Sequence, residues 1–283
     1  MKGVCAMTKK MQEQEKYIDI ISHVDELFKT MCGMTTIGER EVKKFYDDFS
    51  IEACRNSTAI EGNTFTTDEV CLLLREGVRS NNRSHKEHNE ILGYAKGYWY
   101  VYESSKSRTL ISEEFIKAVH KHTVFDESFA GEYRNIDVVV GSMMTDKVDY
   151  APPSFKLVPN AMKRYVEMVN NDLQGFPDVQ NSISIDWAKL FHMLAAHHIE
   201  FERIHPFQDG NGRTGRLLLM YEMILIGLLP VDIRYAERNR YYAGLKNYDS
   251  KIKYSTRPES KTEGMAKLLS ECELCSIKRW MER

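Results

Sequence analysis

The 283-residue chain has no apolar run approaching the ~20 residues that cross a bilayer. Its first stretch, MKGVCAMTKKMQEQEKY, lacks the apolar centre of an export signal. The longest greasy segment, residues 217–230, is too short to span and carries Glu222, so it reads as a buried core helix. A cytoplasmic protein is expected, with no membrane partner. Charge imbalance is missing too. The 39 Lys and Arg against 41 Asp and Glu leave a net charge of −2, which removes the general electrostatic argument for nucleic acid. Small molecules and proteins remain as partners. Cysteine is sparse and scattered (Cys5, Cys32, Cys54, Cys71, Cys272, Cys275), and without an export signal free thiols are expected. Only Cys272-x-x-Cys275 looks paired; it lies in a helical pattern with no second pair nearby, which favours packing over zinc or redox chemistry. Repeats, low-complexity tracts and flexible linkers are absent, so the elements are expected to pack as one unit.

What is present is helical periodicity. Tyr17, Ile20, Ile21, Val24, Leu27 and Phe28 share one helix face, and Val42, Phe45, Tyr46 and Phe49 share another. Gly62 and Asn63 stop the second helix, and Thr66-x-x-Glu69 forms a capping box for a third carrying Val70, Leu73 and Leu74. Further helices are expected near 87–104, 112–125, 159–173, 185–204, 217–226, 235–248 and 260–281. Trp187, Leu190, Phe191, Leu194, His198 and Phe201 form one stripe. The one β signal is IDVVVGSMMTDKVDYAPP, where residues 136–140 face a second strand at 147–150, ended by Pro152 and Pro153. A lone hairpin is marginal, so it must lean on the helices or await a partner strand. The fold class is all-α with one small hairpin.

The chemistry concentrates in HPFQDGNGRTGR, residues 205–216. Gly210-x-Gly212-x-x-Gly215 matches a dinucleotide fingerprint, but that reading needs a preceding strand and a βαβ unit, and here a helix leads in. An idle turn is the bland reading, and it leaves too many residues without a purpose. Gly210 and Gly212 permit positive φ, which turns backbone N–H groups into an anion nest. A helix starting near Thr214 adds a positive dipole end. Arg213 and Arg216, three apart, can hold one anion through guanidinium forks. Asp209 would repel phosphate unless a hard cation such as Mg²⁺ bridges them. His205 is the group able to take a proton near pH 7. Together these describe a Mg-nucleoside triphosphate held for attack.

At every defined position the stretch resembles the signature of the Fic (Fido) family, His-x-Phe-x-(Asp/Glu)-Gly-Asn-Gly-Arg-x-x-Arg. The resemblance implies a Fic-fold helical bundle and a protein adenylyltransferase, moving AMP from ATP to a protein hydroxyl and releasing pyrophosphate. It implies His205 as general base, Asp209 as Mg²⁺ ligand, Asn211 with the Gly210 and Gly212 backbone on phosphates, Arg213 and Arg216 on the β- and γ-phosphates, and Phe207 as the loop's anchor. Gly212 also separates this chain from Doc-type relatives, which carry lysine there and transfer phosphate.

Upstream, STAIEGN (57–63) resembles the family's inhibitory motif, (Ser/Thr)-x-x-x-Glu-(Gly/Asn). That implies an inhibitory helix at about 56–63 whose Glu61, with Ser57, pairs with Arg216 in the γ-phosphate's place. GEYRNIDVVVG (131–141) resembles the flap, whose Val138, Val139 and Val140 would hold a target segment by strand addition. RNRYYAGLKNYDSK resembles the adenine-side helix, with Tyr242 and Leu245 as base contacts and Tyr241 a weaker choice. Asp249 stands near the position where many relatives carry asparagine, with Asn247 close by. His120, His122, His197 and His198 are read as packing residues.

The division expected is 1–105 as a helical region with the inhibitory helix, 106–250 as catalytic core and 251–283 as a closing helix, with no winged-helix module. Target proteins, the chain itself and a second copy are the expected macromolecular partners. Three alternatives stay open: transfer from another nucleotide, net AMP removal, and a nucleotide-binding regulatory module with vestigial catalysis.

Overall fold

The computed structural model describes residues 2–34, 38–142, 147–176, 179–182, 184–246 and 259–283. In chain order the helices are α1 Lys2–Cys32, α2 Glu39–Ile60, α3 Thr67–Glu76, α4 His85–Ser105 and α5 Glu113–Thr123, followed by the hairpin β1 Val140–Ser142 and β2 Lys147–Tyr150. Then come α6 Val158–Gln174, α7 Trp187–Ile204, α8 Asn211–Leu225, α9 Arg238–Lys246 and α10 Glu259–Met281. No described helix is long and apolar enough to cross a membrane.

The helices start where side chains satisfy their first N–H groups. Thr66 and Ser84 each close a capping box, with Glu69 and Glu87 respectively, while Ser112 and Asp186 cap α5 and α7. The centre is α8, buried on every side from Arg213 to Met223 and packed against α2, α4, α5 and α7. Such a helix cannot be amphipathic, and its sequence LLLMYEMIL is not. Its one buried acid, Glu222, accepts a hydrogen bond from His197 on α7, whose other ring nitrogen bonds Asp172 on α6. Helix α10 packs on α1, α7 and α9, so the first and last elements close on one another.

The inhibitory motif ends α2, as the stop at Gly62 and Asn63 implied: Ser57 to Ile60 are the last turn of the 22-residue helix, Glu61 caps it, and Gly62 reverses the chain at φ +102°. One expectation changes: the hairpin is shorter than its β-branched run. Pairing starts at Val140, opposite Tyr150, and Val138 and Val139 lie outside the ladder. Pro152 and Pro153 follow β2 within three residues and have no N–H to donate, which disfavours a longer ladder. Val139 is left 65 % exposed just before β1.

Candidate active site

Helix α7 delivers the motif. It ends at His205, a non-glycine residue held in the left-handed region at φ +49°. The ring's Nδ1 lies 3.2 Å from the Glu202 carbonyl, so the tautomer that donates there leaves Nε2 free to accept a proton. Burial lowers the pKa of His205, with the nearby Arg134 adding to the effect and the bond to Glu202 opposing it. The imidazole is therefore neutral at pH 7 and available as a base.

The loop after it is closed by its own side chains. Phe207 is fully buried and stacks on the His120 ring at 3.7 Å. Asn211 accepts from the Phe207 N–H and donates to the Phe207 carbonyl, each at 2.9 Å. Its carboxamide therefore locks the loop, and what it offers outward is the backbone at the start of α8. His120 Nδ1 accepts from the Gly131 N–H, which puts the proton on Nε2, where it is donated to the Asp209 carbonyl at 2.9 Å. Burial pushes His120 down to about 4, so it stays neutral and keeps that role. A packing histidine in the sequence reading thus proves to be wired to the loop.

The helix begins at Asn211, earlier than the Thr214 start expected from sequence, and this divides the roles of the glycines. Gly210 is the N-cap at φ +78°, as a nest needs. Gly212 has an ordinary helical backbone, and its reason is space: a Cβ there would overlap Glu61 Oε1. The Glu61 carboxylate thus rests against the first turn of α8, where unpaired N–H groups and the helix dipole favour an anion.

Arg216 is almost wholly buried. Its Nη2 donates to Glu61 Oε1 at 2.8 Å and to the Ser57 carbonyl at 2.9 Å, while Nε donates to Ser57 Oγ at 2.8 Å. Nη1 reaches the Tyr241 hydroxyl at 3.3 Å, and that hydroxyl also bonds His198 Nε2 at 2.8 Å. The last turn of α2 therefore takes up most of this guanidinium. Arg213 is different. It is 4 % exposed, and among the described residues its Nε has no hydrogen-bond partner and its one ionic contact is Asp209 Oδ2 at 3.4 Å. A buried cation with an empty donor is costly unless an anion completes it.

Asp209 keeps 56 % of its side chain exposed, with Oδ1 accepting from the Gly210 N–H. No cluster of three metal-binding side chains exists among the described residues. On α9 Tyr242 is 38 % exposed and donates to the Ile60 carbonyl at 2.8 Å. Leu245 is half-buried, and Tyr241 is fully buried beneath Arg216. Asn247 and Asp249 lie outside the described residues. Cys54, Cys71, Cys272 and Cys275 are free thiols. A wide groove between α2, α3, α4 and α5, lined by Leu74, Trp99 and Phe125, contains none of the motif residues.

Sequence and structure comparisons agree on what this site belongs to. Residues 110–223 match the model of the Fic/DOC family. The chain carries a Fic/DOC-family domain. It is 30 % identical over 237 residues to a protein adenylyltransferase Fic of Nematostella vectensis, covering 82 % of this chain and 50 % of that protein. A protein of the same name from Drosophila mojavensis is 27 % identical over 249 residues, covering 84 % and 46 %. The chain spans about half the length of these curated relatives. In structure it resembles a Fic domain containing signaling protein from Bacteroides thetaiotaomicron, with TM-score 0.78, 23 % identity, and coverage of 93 % and 96 %. It also resembles Fic-1 from C. elegans, with TM-score 0.72, 22 % identity, and coverage of 98 % and 75 %. These likenesses show the Fic helical fold with its small hairpin. Beyond the Fic motif, sequence reasoning missed Arg134, whose guanidinium bonds the His205 carbonyl at 2.8 Å. The signal available was its place in GEYR, directly before the hairpin.

Proposed function

We propose that the protein transfers AMP from ATP to a hydroxyl side chain of a target protein and of itself, releasing pyrophosphate, and that Glu61 holds this activity down. The observation that carries the reading is the buried Arg213 at the start of α8, whose Nε has no hydrogen-bond partner among the described residues, beside a second buried arginine. The name of the curated relatives, protein adenylyltransferase Fic, points the same way.

In this reading the α8 N-terminus and Arg213 bind the phosphates, and Arg216 takes the γ-phosphate once Glu61 leaves it. His205 Nε2 removes the acceptor hydroxyl's proton. The hydroxyl oxygen then forms a bond to the α-phosphorus as the bond from that phosphorus to the β-phosphate's bridging oxygen breaks. Asp209 would hold Mg²⁺ together with the phosphates, and the ion would neutralise their charge. Tyr242 and Leu245 would flank the base. The segment with Val138, Val139 and Val140 would receive the target backbone, leaving its hydroxyl near His205. ATP can enter while Glu61 stays on Arg216, but with its phosphates displaced from the aligned position.

The test uses ATP labelled at the α- or the γ-phosphate with the Glu61→Gly protein and a mixture of target proteins. Label from the α-phosphate alone, absent in Glu61→Gly/His205→Ala, supports AMP transfer. Label from the γ-phosphate overturns it in favour of phosphate transfer.

A further inference from the structure

Arg134 has no counterpart elsewhere among the described residues: its side chain is fully buried, yet every close acceptor it meets is a backbone carbonyl. Nε donates to His205 O at 2.8 Å and Nη1 to Ile136 O at 3.0 Å. Nη2 donates to Pro153 O and, at 3.5 Å, to Ile204 O. The backbone N–H of the same residue donates to Pro206 O at 2.9 Å. Its nearest carboxylate, Asp137, is 3.7 Å away and 67 % exposed, and Asp137 in turn accepts from the Phe155 N–H at 2.7 Å.

Burying a guanidinium without a close counter-ion is expensive, and an apolar side chain would fill the same space at lower cost. What an apolar residue cannot do is bond three chain segments at once. The planar fork with five donors can. The segments are the turn carrying His205, the chain entering the hairpin at Ile136 and the chain leaving it at Pro153. The ladder between them is short, so the hairpin's position over the site depends on its two roots. His205 itself sits in an uncommon backbone region, and its carbonyl accepts directly from the guanidinium Nε.

We propose that Arg134 is a positioning residue: it fixes both roots of the flap to the backbone of His205, so that acceptor hydroxyl and base share one frame. This rests on the AMP-transfer reading above. Misplacing reacting atoms by about an ångström costs on the order of 100-fold in rate, which is the loss expected when the fork is removed.

The experiment compares Arg134→Lys and Arg134→Gln in the Glu61→Gly background. Expected are a fall of about 100-fold in transfer to a saturating target, an ATP Kd within about threefold of the parent because no phosphate contact is touched, and an unchanged melting profile for the lysine variant. The pH profile adds a reading that a mere brace would not move. The charged groups facing His205 are Arg134, Glu61 and Asp209. Arg134→Gln therefore shifts the acid limb upward, whereas Arg134→Lys keeps the charge and leaves the limb in place. Transfer within about threefold of the parent, or equal losses in transfer and ATP affinity, would overturn the proposal. Hydrogen exchange judges it without any reaction. In the unsubstituted chain the amides of Arg134, Phe155 and His205 should open together, and independent opening overturns the proposal even where the variants do not fold. A parent that transfers no AMP but shows joint opening would sink the function and leave the brace standing.

Discussion

Glu61 Oε1 and Arg216 Nη2 stand 2.8 Å apart at the first turn of α8, with Gly212 leaving the space between helix and carboxylate free of any side chain. Glu61 thus occupies the place a helix N-terminus offers to an anion, and α2 already takes up the Nε and Nη2 donors of the arginine beneath it. A charge-assisted hydrogen bond of this kind contributes about 1.5–3 kcal/mol. Glu61 is about one-third exposed, so solvent screening puts the contact toward the low end.

Tyr242 on α9 fastens the same turn through the Ile60 carbonyl. Tyr242→Phe keeps the ring and removes that bond, a change of roughly 0.5–1.5 kcal/mol. The expected outcome is basal labelling raised about two- to tenfold, with a smaller gain when Glu61→Gly is already present. Labelling unchanged in the single variant would show that the hydroxyl does not hold the lock.

Arg213 should show function and stability pulling apart. Arg213→Met removes a buried charge whose Nε has no hydrogen-bond partner among the described residues, so the melting temperature should hold or rise. ATP affinity should drop about 10- to 100-fold with the loss of a forked phosphate contact. Calorimetry and thermal melting on one preparation check both. A variant that melts well below wild type would show that Arg213 is structural.

His120 makes the loop sensitive to acid. Its folded pKa of about 4 lies below the ordinary 6.5, so the unfolded chain binds the proton first as pH falls. The stability that neutral His120 supplies is whole above about 6.5 and is lost progressively toward 4, up to about 3 kcal/mol. His120→Gln should flatten this part of the curve in denaturant titrations between these limits, against a steeper fall in wild type.

Glu202 should act in the opposite direction. Burial raises its carboxyl to about 8, with Arg216 opposing, and Oε1 has no hydrogen-bond partner among the described residues. A raised pKa means stability present below about 4.5 and lost as pH climbs to about 8. Glu202→Gln should therefore gain on wild type across that window, by about 1–3 kcal/mol at its upper end. A melting-temperature difference independent of pH would show that Glu202 is ionised throughout.

The helices and the motif were legible because their causes are local. Apolar spacing, capping boxes and a dozen contiguous residues carry their own evidence, and Glu61 meets Arg216 as the family resemblance implied. What the sequence hid depends on distant backbone. Arg134 and His120 act on carbonyls and N–H groups of other segments, which no residue letter encodes. Gly212 looked like a positive-φ glycine, and only the approach of Glu61 from α2 reveals that its purpose is space. The β-branched run at 136–140 promised a longer strand than the prolines that follow β2 favour.

The most direct test of the lock is to titrate ATP and AMP separately into wild type and Glu61→Gly by calorimetry. AMP has no γ-phosphate, so it does not contend with Glu61 for Arg216. The account predicts that Glu61→Gly tightens ATP binding by about tenfold, as expected for a contact of about 1–2 kcal/mol, while AMP stays within about twofold. An equal change for both nucleotides, or none for ATP, would contradict it.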